Sequence, residues 1–171
     1  MPEGGLIEIQ ITVEAPGWPA PAELESLCDS VVSTAAAYLV RHAGQPFPEA
    51  GCELSLLFAG DQAVREINSR WRSQDKSTNV LSFPAMPVEP GQMPGPMLGD
   101  VVLAYETVAR EARAMDIPFD NHLTHLLVHG FLHLLGYDHL NDEDAASMES
   151  LETGILAALD LSDPYENTFP A

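Results

Sequence analysis

His129-Gly130-Phe131-Leu132-His133-Leu134-Leu135-Gly136-Tyr137-Asp138-His139 is the stretch around which the rest of the chain is organised. It packs three of the six histidines into eleven residues. His129 and His133 stand four apart. On a helix that spacing turns the side chain by only about 40° and raises it by about 6 Å, so both imidazoles leave one face. Gly136 supplies a helix stop, because it takes positive φ without steric penalty. The chain can turn back there and bring in His139 as a third donor. Three imidazoles converging on a point, with no fourth protein ligand in the run, describe an open catalytic zinc site better than a closed structural one. The two-histidine zinc helix of metalloproteases carries a glutamate base directly after the first histidine. Here that position is Gly130, so the stretch can hold metal but lacks that base.

Towards the N-terminus the run continues as one helix, expected over about 121–135 with Asp120 as its cap. Leu123, Leu126, Leu127, Phe131, Leu134 and Leu135 make it apolar nearly all round, so it should be buried. One stripe differs, with His122, His125, His129 and His133. Buried histidines need partners, since an unpaired polar group in a core costs roughly 2–7 kcal/mol. A metal and the groups that bond its ligands would supply them. His125, one turn before His129, is either such a group or simply buried, and is not assigned as a ligand. Beyond the run, Asn141 or Asp142 starts a last helix carrying Ala145, Met148, Leu151 and Ile155, with its acids mostly on the solvated surface.

The earlier elements are plainer. Leu6 to Val13 alternates as a strand, with Ile7, Ile9, Ile11 and Val13 on one face. Pro21 opens a helix with Leu24, Leu27, Cys28, Val31, Val32, Ala35 and Leu39 at helical spacing, and Gly44 lies past its end. His42 there is a favourable charge near a helix C-terminus. Cys52 to Ala59 is a second strand. Asp61 can cap the next helix, which turns Val64, Ile67 and Trp71 inward. Ser77 to Phe83 is a third strand, stopped by Pro84. Residues 84–96 hold five prolines and two glycines and form a mobile surface loop. Met86, Met93 and Met97 there are either an apolar flap over a site or part of a connector. Leu98 to Ala104 is a fourth strand, and Tyr105 to Met115 a helix with Val108, Ala109, Ala112 and Met115 inward. The fold class is therefore α+β: a single domain over 1–171, with a small mixed four-stranded sheet covered by helices and a buried metal-binding helix at its centre. Residues 1–5 and 162–171 are expected to be loose termini.

At 171 residues the chain is long enough to bury roughly 70% of its unfolded surface. No run of 18 apolar residues is present, so nothing is expected to span a membrane. The N-terminus does not read as a signal peptide. Cys28 and Cys52 lack paired spacing and read as reduced, buried thiols of a cytoplasmic protein. The net charge of −19, from 26 acids and 7 bases, argues against wrapping nucleic acid by bulk attraction. Yet Arg65, Arg70, Arg72 and Lys76, four of the seven bases, fall within twelve residues. That island is either an anion contact or a solvated helix face.

With these residues in view, the chain resembles the YbeY family of bacterial zinc-dependent endoribonucleases of ribosomal RNA maturation. The His129 to His139 run matches the family's three histidines around Gly-Tyr-Asp. Asn68 to Pro84, Asn-Ser-Arg-Trp-Arg-Ser-Gln-Asp-Lys-Ser-Thr-Asn-Val-Leu-Ser-Phe-Pro, resembles the segment that contributes an active-site arginine, and Leu98-Gly99-Asp100 matches a shorter block. Together they span about residues 52–160. The resemblance implies that His129, His133 and His139 hold one Zn²⁺ per chain and that Arg72 is the catalytic arginine. It implies a single-strand-specific endoribonuclease in 16S rRNA maturation and small-subunit quality control. Its partners would be ribosomal RNA and the small ribosomal subunit, reached through a small-subunit ribosomal protein or an assembly GTPase. Ser77 stands where proline is common in the family. The acidic charge favours recruitment by a ribosomal partner over unaided binding of free RNA.

The chemistry is consistent with that. Zinc on three histidines keeps a position for water and lowers its pKa to about 7. Arg72 can hold a phosphoryl oxygen with a planar two-pronged contact. Asp138 either orients an imidazole or is a solvated turn aspartate. The nucleophile, activated water or the RNA 2′-hydroxyl, is left open by the sequence. Two other classes use the same residues: a metal-dependent peptidase or amidase, and a non-catalytic assembly factor whose structural zinc takes Asp138 or His125 as a fourth ligand.

Overall fold

The structure is a computed structural model and describes residues 7–161. The expected loose termini and Leu6 lie outside the described residues. The elements are β1 (Ile7–Val13), α1 (Pro21–Ala43), β2 (Cys52–Ala59), α2 (Asp61–Arg72), β3 (Val80–Pro84), β4 (Met97–Ala104), α3 (Tyr105–Met115), α4 (Phe119–Leu134) and α5 (Asp142–Ala158). The sheet order is β1-β2-β4-β3. β1, β2 and β4 run parallel, and β3 is antiparallel to β4. This is the mixed four-stranded sheet of an α+β domain, with β3 as one free edge.

Alternation along β4 shows how the sheet is covered. Val101 and Leu103 join the main core with Leu54, Leu56 and Phe58 of β2 and the stripes of α1 and α4. Val102 and Ala104 face the other way and meet Val64 of α2 and Leu81 of β3 in a smaller cluster. Successive side chains on a strand point to opposite faces, so α2 lies on one side of the sheet and α4 on the other. Trp18 closes one end of the main core. Its indole N–H donates to the Ala59 carbonyl at 3.0 Å, and its ring meets Phe58, Tyr105 and Phe119 edge-on. Cys28 and Cys52 are buried free thiols. Burial, helped by Asp29, pushes Cys28 up to about 12, and burial pushes Cys52 up to about 11, so neither ionises near neutrality.

The histidine helix is close-packed against the sheet because of Gly130. A Cβ at that position would sit 2.9 Å from Val101 Cγ1 and 3.2 Å from Ser82 Oγ. Real Cβ atoms essentially never approach to the first distance, so residue 130 faces the sheet and has room only for hydrogen.

Several local expectations are corrected. Gly60, not Asp61, is the N-cap of α2. The Asp61 carboxylate instead accepts from the Thr107 amide at 3.1 Å and hydroxyl at 2.8 Å, tying α2 to α3. α4 starts from Pro118, so Asp120 lies inside its first turn, where it suits the helix dipole without capping. Asn141 does cap α5, accepting from the Asp144 amide at 2.8 Å. Met115 is 45% exposed, and Trp71 is 70% exposed instead of packed inward. α2 and α3 overrun their cores there, and the last turns project into solvent. β3 begins at Val80 rather than Ser77. The proline-rich segment is pinned at three points: the Ala85 amide bonds Leu98, the Glu53 amide bonds Pro96, and the buried Gln45 side chain donates to the Gln92 carbonyl at 2.9 Å. Its Met86, Met93 and Met97 are exposed, and none lines the groove described below.

Candidate metal centre

α4 sets His129 and His133 on one face, as the four-residue spacing requires. Gly136 then takes φ +99°, and its amide bonds the His133 carbonyl at 3.1 Å. An added Cβ at this glycine would run into the Val88 carbonyl, so the turn needs glycine for both conformation and room. The turn returns His139 to the helix face. One donor atom from each of His129, His133 and His139 lies within 4.8 Å of the others, and the group could hold a metal ion. The Nε2 atoms of His129 and His133 are 3.0 Å apart.

Sequence reasoning missed the residue that braces this group. Glu152 of α5 is fully buried. One of its carboxylate oxygens accepts from His129 Nδ1. The other lies 3.3 Å from His125 Nε2. With its proton on Nδ1, His129 aims the Nε2 lone pair at His133. Two imidazole nitrogens facing each other at this distance must share a proton or a cation. A tetrahedral zinc with bonds of about 2.0–2.1 Å holds its nitrogens about 3.3 Å apart, so the donor set suits such an ion. Burial pushes the His133 pKa below the ordinary histidine value, and the His129 and His139 charges act the same way against the opposing Asp138. The shift favours the neutral ring, the form that offers a lone pair to a cation. His125 belongs to the brace and not to the donor group.

Glu152 could have been found. Met148, Glu152, Ile155 and Leu156 follow i, i+4, i+7, i+8 spacing and are the buried residues of α5. An acid on an apolar stripe calls for a buried partner.

Asp138 plays the turn role. It accepts from the His139 amide at 2.8 Å, while His133 Nδ1 and His139 Nδ1 lie at 4.0 and 3.9 Å, beyond hydrogen-bond reach. At the other end of the stripe, His122 Nε2 pairs with Glu111 at 2.8 Å. Burial raises the Glu111 pKa, but hydrogen bonds from His122 and Asn79 outweigh it and hold the carboxyl below its usual value.

The three histidines open on a groove of about 590 Å³ whose walls include Arg72, Thr78 and Asn79. Arg72 is the last residue of α2 and is exposed. The basic island divides here. Arg65 is engaged by Asp75 through two contacts of 2.8 and 3.2 Å, whereas Arg72 lines the groove and forms no ion pair among the described residues.

These features define an α+β protein whose candidate metal centre shares one groove with an arginine. The family described as Endoribonuclease YbeY matches residues 20–160. A Rhizobium meliloti protein named Endoribonuclease YbeY is 60% identical over 164 residues, covering 96% of this chain and 98% of that one. An Agrobacterium fabrum protein of the same name is 58% identical with the same coverage. The solution structure of a Thermotoga maritima protein shares the fold, with a TM-score of 0.53 at 22% identity, covering 96% of this chain and 98% of that one. The chain belongs to the YbeY family.

Proposed function

We propose that this protein is a zinc-dependent endoribonuclease that cuts single-stranded RNA, acting in the cytoplasm in 16S rRNA maturation and small-subunit quality control. The observation that carries this reading is the convergence of three imidazole donors with Arg72 in one groove. The endoribonuclease activity itself accords with relatives about 60% identical over nearly the whole chain.

His129, His133 and His139 would hold the metal, which when bound supplies a Lewis acid and lowers the pKa of a water to about 7. Glu152 fixes the His129 ring and its tautomer. Arg72 carries a planar guanidinium to a phosphoryl oxygen and holds the charge that develops there. Asp138 keeps the His139 turn closed.

The geometry supports this reading better than the competing classes. A peptidase glutamate at position 130 would collide with Val101 and Ser82. A closed structural zinc needs a fourth ligand, and the metal-capable group found among the described residues comprises His129, His133 and His139, with His125 turned to Glu152. No helix among the described residues is long and apolar enough to cross a membrane. The charge of −19 opposes unaided capture of a polyanion, so the small ribosomal subunit delivers the RNA, through a small-subunit ribosomal protein or an assembly GTPase.

The test is metal analysis of the purified protein coupled to cleavage of 16S rRNA with and without chelator. About one zinc per chain is expected, with cleavage lost on chelation and restored by zinc. Undiminished cleavage by metal-free protein would refute the metal role. Weak binding to free RNA, with co-sedimentation on small subunits at moderate salt, is expected for the partner.

A further inference from the structure

Trp71 is the least expected side chain on this surface. Its spacing from Val64, Ile67 and Asn68 puts it on the inward stripe of α2, yet it is 70% exposed. The helix ends just beyond it, at Ser73 in the left-handed conformation. A tryptophan offers about 150–250 Å² for burial, so leaving it in water forgoes a large stabilisation unless something covers it. Its neighbours indicate what does. Arg72 lines the histidine groove, and Arg70 on the other side is also exposed. On a chain of charge −19, an exposed indole whose chain neighbours on both sides are exposed arginines suits a ligand that is anionic along its backbone and flat in its side groups. A basic peptide would be repelled there, and an apolar protein face would bury two guanidinium groups without partners.

We propose that Trp71 is a stacking platform for an unpaired nucleobase, adjacent to the nucleotide whose phosphate Arg72 holds. This rests on the endoribonuclease reading above and adds a binding subsite to it. Every base has a π-face, so the contact tolerates sequence. A duplex keeps its bases stacked inside and cannot offer one, so the subsite selects single strands.

The experiment uses the zinc-loaded protein, a single-stranded RNA oligonucleotide and the same sequence as a duplex. The chain has two tryptophans, and Trp18 is buried at 8% exposure, so a fluorescence change on RNA addition reports Trp71. Quenching by the single strand and not by the duplex is expected. Trp71→Ala should raise KM about ten-fold with a much smaller effect on kcat, and Trp71→Phe should recover most of that affinity while abolishing the quench. If the wild type cleaves RNA with no fluorescence response, and Trp71→Ala has an unchanged KM, the stacking subsite is refuted and the endoribonuclease reading survives. Quenching without any cleavage would overturn the endoribonuclease reading and leave the subsite standing. Neither quenching nor cleavage would overturn both.

Discussion

The two ends of the α4 histidine stripe use the same pairing for different ends. At the N-terminal end, His122 gives Nε2 to Glu111, and its Nδ1 is buried with no hydrogen bond among the described residues. At the C-terminal end, His129 gives Nδ1 to Glu152, and its Nε2 faces His133 beside an open groove. Each is an imidazole held by a carboxylate. What separates a packed pair from one able to take part in a metal site is where the second ring nitrogen points. At His122 it meets packed protein, and at His129 it meets other donors and solvent. A carboxylate-bound histidine is thus insufficient evidence of a site.

That contrast breaks most severely at the donors. His133→Ala should take the protein from about one zinc per chain to almost none and reduce RNA cleavage to background, read by metal analysis and a single-turnover assay. Full zinc occupancy in this variant would dissolve the distinction between the two ends. Next in size is Arg72→Ala, with zinc and fold retained and a loss of about 10²–10³-fold in single-turnover cleavage, the scale of removing one transition-state donor. Arg72→Lys should recover part of it, since an ammonium cannot make the paired planar contact. A wild-type rate in Arg72→Ala would make the groove arginine a surface residue.

The braces give the sharpest form of the comparison. Glu152→Gln keeps the size of the side chain and removes its charge, and should weaken zinc binding about 10–100-fold in a competition with a chromophoric chelator. Glu111→Gln should leave zinc affinity alone and lower stability by about 1–2 kcal/mol, seen as a fall in Tm. Equal effects of the two on metal affinity would show that the whole stripe acts as a unit. The smallest expected effect is that of His42→Ala. His42 packs on Tyr38 at 4.3 Å between ring centroids, away from the donor group, and zinc content should not change.

Local periodicity made most of this legible. Tyr105–Met115 was expected as a helix with those bounds, and the histidine helix, the Gly136 stop and the return of His139 follow from spacing and φ. What periodicity cannot say is how far a helix extends past the core it packs on, which is why Trp71 and Met115 were misplaced. Strand order was hidden for another reason: β4 inserts between β2 and β3 through pairings that no local pattern encodes. Glu152 was obscured by company, one acid among many on α5. The assumption that acids are solvated outweighed its place on an apolar stripe.

The close fit at Gly130 also bears on ancestry. Glycine and glutamate codons can differ by a single base, so a nuclease of this kind stands one mutation from the motif of a zinc peptidase. Val101 and Ser82 make that step a collision with the sheet rather than a new activity. Drift would have to move β4 and β3 away from the helix before the glutamate could be accepted. Two lineages with nearly the same histidine helix can therefore lie one base apart in sequence and still be separated by the packing of that helix on its sheet.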